Sequence, residues 1–260
     1  VTAVHIDTDI GEGFGVWGIM DDGPLLDTVS AANVACGFHA GDPDILRRTT
    51  KEAAARGVSI GAQVSYRDLA GFGRRFIDVE VSTLVNDLVY QIGALQAFAR
   101  VAGTEVTYLK AHGALYNVAA DNAGHARAIV EAVTLVDPTL PILCQYDTEV
   151  WTQAIDAGIQ PIAELFVDRN YTSKARLVSR RHPAALITEP EAAAERAVKM
   201  VQTGETVSVD GDTVRVLPPS YDAVALCVHS DTAGAVEIAT QTRKALADSG
   251  FGLSPIGRRP

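Results

Sequence analysis

Two aspartates, Asp7 and Asp9, stand two residues apart at the end of an apolar run and lead into Gly11-Glu12. On an extended strand, residues i and i+2 share a face. Both carboxylates therefore point the same way, with His5 lower on that face and Ile6, Thr8 and Ile10 on the other. Carboxylates held side by side repel. Such pairs persist where they bind a cation or where one is raised toward neutrality for acid–base work. Lys110 and His112 repeat the alternation after a second apolar run. A lysine in that place must find an anion, and Asp7, Asp9 or a bound substrate are the partners on offer. Tyr116 and Asn117 follow within the next turns. His39 lies in Gly37-Phe-His-Ala-Gly41, where an imidazole can serve as base or ligand. Asp42 just after it, with Pro43 at the first helical position, reads as a helix N-cap. Cys36 reads as core.

Two longer stretches carry the remaining chemistry. Gln63 opens an irregular loop to about Asp78 that holds Tyr66, Asp68, Gly71-Phe-Gly73 and Arg74-Arg75. Paired arginines can grip a carboxylate or phosphate, or can be surface cations tied to Asp68 or Asp78. Asp168-Arg169 begins a basic stretch with Lys174, Arg176, Arg180 and Arg181, suited to an anionic substrate or to a protein partner. His229 and Asp231 close the last apolar run, where Asp231 can also cap a helix. His125 and His182 read as surface residues.

These clusters must be positioned by the elements that precede them. Seven apolar runs read as strands, at about 3–8, 32–36, 58–62, 106–110, 141–145, 159–165 and 223–228. Helical patterns separate most of them. The first is loosely placed at 22–30; others start at Asp42, Ser82, Asp121 and Asp147, at a Thr188/Glu191 capping box, and at Asp231 or Thr232. Alternating strands and helices imply parallel β/α units, whose strand ends converge on one site. Seven strands point to an α/β fold with a distorted parallel barrel; an open doubly wound sheet is the alternative. Period-two alternation around Asp210-Gly211 marks a β-hairpin insertion at about 204–218. With no linker or repeat visible, residues 1–260 are expected to form one domain.

Composition narrows the class. The chain has 260 residues, 47% of them apolar, and a formal charge of −10, which supports a sizeable core and argues against generic nucleic-acid binding. No apolar run is long enough to span a bilayer. The cysteines, Cys36, Cys144 and Cys227, form no paired motif, so a reducing cytoplasm is the expected compartment. The GxxxxGK[ST] motif is absent, leaving a phosphate-binding P-loop without support.

At the clusters quoted above the chain resembles the LamB/YcsF family. The pattern runs through Asp7, Asp9, Gly11 and Glu12, through Ala32 to Asp42, and through Gly71 to Arg75. It continues at Lys110, at His112 to Asn117, at Asp168, Arg169 and Tyr171, and at His229, Asp231 and Thr232. The resemblance covers nearly the whole chain. It implies a seven-stranded barrel similar to glycoside hydrolase and polysaccharide deacetylase domains. It also implies ATP-dependent opening of the 5-oxoproline lactam to glutamate, with ATP as co-substrate of a complex with PxpB- and PxpC-like subunits. The chain departs from the family pattern at Thr8, Gln63, Ala111 and Ser230, which replace asparagine, histidine, proline and glycine. On this footing Asp7 or Asp9 is expected to act as base, His39 and His112 as acid–base or oxyanion partners, and Lys110 as the stabiliser of negative charge. Glu12, Gln63, Tyr66, Arg74, Arg75, Tyr116, Asn117, Asp168, Arg169 and His229 are expected to bind substrate. Two rival readings stand beside it. One is a metal-dependent amidase or deacetylase with a divalent ion on Asp9, His39 and His112; the other is a non-catalytic regulatory subunit.

Overall fold

The computed structural model describes residues 3–18 and 21–258. Six strands pair in chain order and in parallel: β1 (Ala3–Ile10), β2 (Ala31–Ala35), β3 (Ser59–Val64), β4 (Val106–Ala111), β5 (Ile142–Cys144) and β6 (Pro161–Phe166). β7 (Glu205–Val207) and β8 (Thr213–Arg215) make the antiparallel hairpin around Asp210-Gly211. β9 (Ala223–Val228) then pairs with both β6 and β1 and closes the barrel, which removes the open-sheet alternative. Every residue of β2 and β3 is buried, as a parallel sheet covered on both faces requires. Ile6, Ile10, Val34 and Ile60 belong to the core shared with the helices outside. Inside, Ala31, Tyr108, Leu143, Ile162 and Ala225 form a small apolar layer that Ile256 plugs at the N-terminal end of the strands. Ser254 anchors that plug by accepting from the His5 ring at 2.6 Å. His5 thus belongs to the base of the barrel.

Among the described residues eight helices flank the barrel: α1 (Gly23–Leu26), α2 (Pro43–Ala55), α3 (Val81–Val101), α4 (Gly113–Ala119), α5 (Ala123–Val136), α6 (Glu149–Asp156), α7 (Pro190–Thr203) and α8 (Ala235–Asp248). Asp42 caps α2 as expected, accepting from the amides of Asp44 and Ile45. The apolar repeat of α3 buries Leu84, Leu88, Ile92 and Leu95. Other starts differ from the sequence reading. Glu80 precedes α3 in place of Ser82, and Asn122 and Thr148 cap α5 and α6 one residue beyond Asp121 and Asp147. No side chain caps α7, so the Thr188/Glu191 box does not form. α8 starts after Gly234 because Asp231 and Thr232 are already engaged, the first by Arg74 and Arg180 and the second by Asp168. α1 is a single turn within the broad 22–30 region.

The loop after β3 is fixed by backbone contact. Gly113 has φ +58, and a Cβ there would meet the Gly73 carbonyl oxygen at 2.6 Å. Glycine at 113 is what lets this loop lie against the end of β4, where Ala114 donates to the same carbonyl.

Candidate active site

At the C-terminal end of the barrel, the interior side chains turn from apolar to ionic. Lys110 is 3% exposed, so its ammonium depends on protein partners for what water would otherwise supply. Its Nζ lies 2.9 Å from Asp9 Oδ1, 2.9 Å from Glu164 Oε1 and 3.7 Å from Asp7 Oδ2, with Cys227 Sγ at 3.1 Å. Asn33 donates to Asp7 at 2.7 Å and to Asp9 at 3.0 Å, and accepts from the Tyr108 hydroxyl at 2.7 Å. One cation therefore faces three carboxylates. Burial works against ionised Asp9, yet Lys110, His229 and His112 hold it below the usual carboxylate range. Burial pushes Glu164 up to about 8; Lys110 opposes this and the charge of Asp7 adds to it. These shifts favour the charge on Asp9, paired to Lys110, and the proton on Glu164.

A second cluster lies beside the first. Glu12 Oε1 is 3.3 Å from His39 Nε2 and 3.3 Å from His112 Nδ1. His112 Nε2 donates to the Phe72 carbonyl at 3.0 Å, so in a neutral ring Nδ1 bears the lone pair. Gln63 Nε2 donates to that lone pair at 3.1 Å. Burial and the adjacent His39 hold His112 well below the usual imidazole range, in keeping with a neutral ring whose two nitrogens are both engaged. Burial raises Glu12; its hydrogen bond to His39 opposes the rise and Asp9 adds to it.

Glu12, His39 and His112 place three donor atoms within 4.8 Å of one another, which invites a metal. The ring geometry does not fit one. A metal bonds imidazole along the in-plane lone pair, at about 2.0–2.1 Å for zinc. The two rings stack at 3.8 Å, 8° from parallel, so no point within bonding distance lies in both planes. The amide of Gln63 also occupies the nitrogen of His112 that a metal would need. The Asp9–His39–His112 set uses the same two stacked rings and fares no better. A tightly bound ion would contribute about 3 kcal/mol of stability. The expected result is that EDTA leaves the thermal midpoint of the purified chain unchanged. One equivalent of zinc or manganese by elemental analysis would overturn this.

Above these clusters opens a cavity of about 690 Å³, lined by Asp9 and Lys110 at its floor, by Tyr116, Phe166 and His229 on its walls, and by arginines at its rim. Arg74 and Arg180 both hold Asp231, at 2.6 and 3.2 Å. Arg169 is 5% exposed; it donates to the Val178 carbonyl at 2.6 Å, while its buried Nε has no partner among the described residues. Burial and the nearby charge of Arg180 lower its guanidinium to about 10.

The structure brings Asp9, Lys110, His112, Arg74, Arg75, Tyr116, Asn117, Arg169 and His229 to this cavity. Asp7 lies beneath it, fully buried. Asp168 reaches it only through His229, whose Nδ1 is 2.9 Å away. Glu12 lines a neighbouring cavity of about 220 Å³ with Gly13, Trp17 and Ser230. Gln63 lies within β3 and acts through His112. Tyr66 is placed elsewhere: its hydroxyl is 2.5 Å from His125 Nδ1, and both are buried, so His125 is not the surface residue the sequence suggests. Arg75 spends its guanidinium on Asp68. Asn33, Tyr108 and Glu164 are site residues that the sequence reading does not single out. A lone glutamate inside Ile162-Ala-Glu-Leu-Phe166 and a lone asparagine inside Ala31-Ala-Asn-Val-Ala35 are the available signals, since a strand buried on both faces does not carry such groups unpaired.

The LamB/YcsF family model matches residues 4–259. The chain is 52% identical over 250 residues to the 5-oxoprolinase A subunit of Mycobacterium avium (strain 104), an alignment covering 96% of this chain and 97% of that one. It is 46% identical over 258 residues to the 5-oxoprolinase A subunit numbered 3 of Pseudomonas syringae pv. tomato, covering 99% of each. The crystal structure of a lactam utilization protein from Thermus thermophilus superposes with a TM-score of 0.89 at 37% identity, over 97% of this chain and 99% of that one. A putative cellobiose-phosphate cleavage protein from Enterococcus faecalis, 11% identical with a TM-score of 0.56, shares the fold alone.

Proposed function

The chain belongs to the LamB/YcsF family, and from that premise and the cavity's chemistry we propose that it is the A subunit of a cytoplasmic, ATP-dependent 5-oxoprolinase. In this reading it works with PxpB- and PxpC-like subunits to open the 5-oxoproline lactam to glutamate. The observation that carries it is the buried guanidinium of Arg169 on the cavity wall, whose Nε lacks a partner among the described residues. A buried donor left unsatisfied is costly. The carboxylate of a small cyclic amino acid would satisfy it with a charge-assisted bond. Arg74 and Arg180 at the rim add positive potential in a chain whose overall charge is −10.

The chemistry asks for more than binding. A lactam carbonyl is a stabilised amide. Transfer of the ATP γ-phosphoryl group to the amide oxygen makes the ring carbon electrophilic. Water can then add, the C–N bond opens, and a second water releases phosphate from the acyl phosphate. Lys110 at the cavity floor, fixed by Asp9, is placed to stabilise the negative charge that the amide oxygen gains as it takes up the phosphoryl group. Gln63 and Phe72 hold His112 as a neutral wall to the site.

The test is release of ADP and glutamate from 5-oxoproline by this chain alone and with its partner subunits. Turnover confined to the mixture is expected; none in an assembled complex would sink the reading. Within the active complex, Arg169→Ala is expected to raise KM for 5-oxoproline by roughly 10–100-fold, the loss of one charge-assisted contact. A smaller effect on kcat should accompany it. An unchanged KM would remove Arg169 from the carboxylate site.

A further inference from the structure

β6 and β9 pair with Phe166 opposite Cys227. Two residues beyond that register, the strands deliver Asp168 and His229 side by side. The Asp168 carboxylate, fully buried, spans His229 Nδ1 at 2.9 and 3.1 Å. It also accepts from the Thr232 hydroxyl. A carboxylate only accepts, so Nδ1 carries hydrogen and a neutral His229 has its lone pair on Nε2. Burial opposes ionised Asp168, but His229 and the two hydrogen bonds keep it below the usual carboxylate range. The imidazole stacks on Phe166 at 5.4 Å, which fixes its plane, and it lines the cavity. Among the described residues Nε2 has no hydrogen-bond partner.

The other bases at this end of the barrel are paired, or lie off the cavity with their unpaired atoms buried. Asp9 is paired to Lys110 and Asn33. His112 has both nitrogens engaged. His39 faces Glu12 and does not line the cavity, and Glu164 lies beneath Lys110. We propose that His229 is the general base that activates water in this site, with Asp168 as its positioning residue and Thr232 holding Asp168; this rests on the lactam-opening reading above. The sequence alone assigns both His229 and Asp168 to substrate contact.

The step balances without a further reagent. His229 Nε2 takes one proton from water as the water oxygen bonds the carbon of the phosphorylated lactam, and the C=N electron pair moves onto nitrogen. The imidazolium returns that proton to the ring nitrogen. The same nitrogen of His229 then relays the remaining hydroxyl proton to the departing amine as the C–N bond breaks and the acyl C=O forms. The histidine is regenerated, and both hydrogens of the water end on the amine.

The test uses the assembled complex with 5-oxoproline and ATP. His229→Ala is expected to lower kcat by roughly 10²–10⁴-fold, the usual span for a general base, while KM stays within about threefold. Free imidazole should restore part of the rate, since the deletion enlarges a cavity already open to solvent. Asp168→Asn should lower kcat at unchanged KM and should not respond to imidazole, because the ring is present but in the wrong tautomer. If His229→Ala does not fold, as judged by its thermal midpoint, His229→Gln supplies the same comparison without the rescue. A variant that keeps more than about a tenth of wild-type kcat overturns the proposal. So does a folded, substrate-binding His229→Ala that imidazole cannot rescue. If the wild-type complex itself opens no lactam, the broader reading has failed and takes this assignment with it, which separates the two failures.

Discussion

Lys110→Met is expected to lower the thermal midpoint by roughly 10 °C and to abolish turnover. Methionine matches the lysine stem in volume, so packing around Phe166 and Cys227 changes little. The charge is what disappears. Asp9, Asp7 and Glu164 then share the barrel interior with no cation among them. Removing one partner of a buried pair leaves uncompensated charge and typically costs about 3–5 kcal/mol. For a chain of this size each kcal/mol corresponds to roughly 2–4 °C. The variant can escape part of the penalty by protonating Asp9, which predicts its own control: Lys110→Met with Asp9→Asn should recover several of the lost degrees while remaining inactive. Differential scanning calorimetry of the wild type and the two variants decides. A midpoint within about 2 °C of wild type for the single variant would mean that Lys110 does not hold the carboxylates together.

Much of this site is legible because polar residues interrupt apolar runs in places where a strand should end. Asp7-x-Asp9, Lys110-x-His112 and His229 all announce themselves in this way, and the barrel brings them together as the parallel topology demands. What stays hidden depends on partners distant in the chain. Asp168 and His229 are 61 residues apart, and their pairing follows from β9 closing the barrel against β6, which no local pattern reveals. The same holds for Arg74 on Asp231, 157 residues away, which also removes Asp231 from the helix cap that local chemistry would assign it. Glu164 is obscured for a different reason: one charge inside a run of Ile, Ala, Leu and Phe barely disturbs the apolar average. It nevertheless lies 2.9 Å from the Lys110 ammonium. Gln63 shows the opposite case, a conspicuous departure from the family pattern. Its amide takes a donor role toward His112, so the substitution fixes a tautomer and leaves no nitrogen of that ring for a metal.

The proton on Glu164 should be visible in the pH dependence of stability. Its folded value, about 8, lies above the 4.5 of an unperturbed glutamate. Between those two values the folded chain holds a proton that the unfolded chain has released, so stability falls as pH rises through this window. A displacement of this size corresponds to a loss on the order of 3 kcal/mol between pH 5 and 8. Asp9 acts in the opposite sense and elsewhere: held below its ordinary value, it contributes stability that is lost only as pH falls through the acid range. Glu164→Gln keeps the shape and the hydrogen-bonding amide oxygen but cannot ionise. Urea midpoints measured from pH 5 to pH 8 should therefore fall further in the wild type than in Glu164→Gln, with the two proteins similar at pH 5. Parallel curves would show that Glu164 is already ionised in the folded chain, and that Lys110 neutralises two carboxylates at once. In the expected case, ionisation of Glu164 above pH 8 draws Lys110 away from Asp9 and from the cavity floor, so wild-type turnover should fall there while that of the glutamine variant does not.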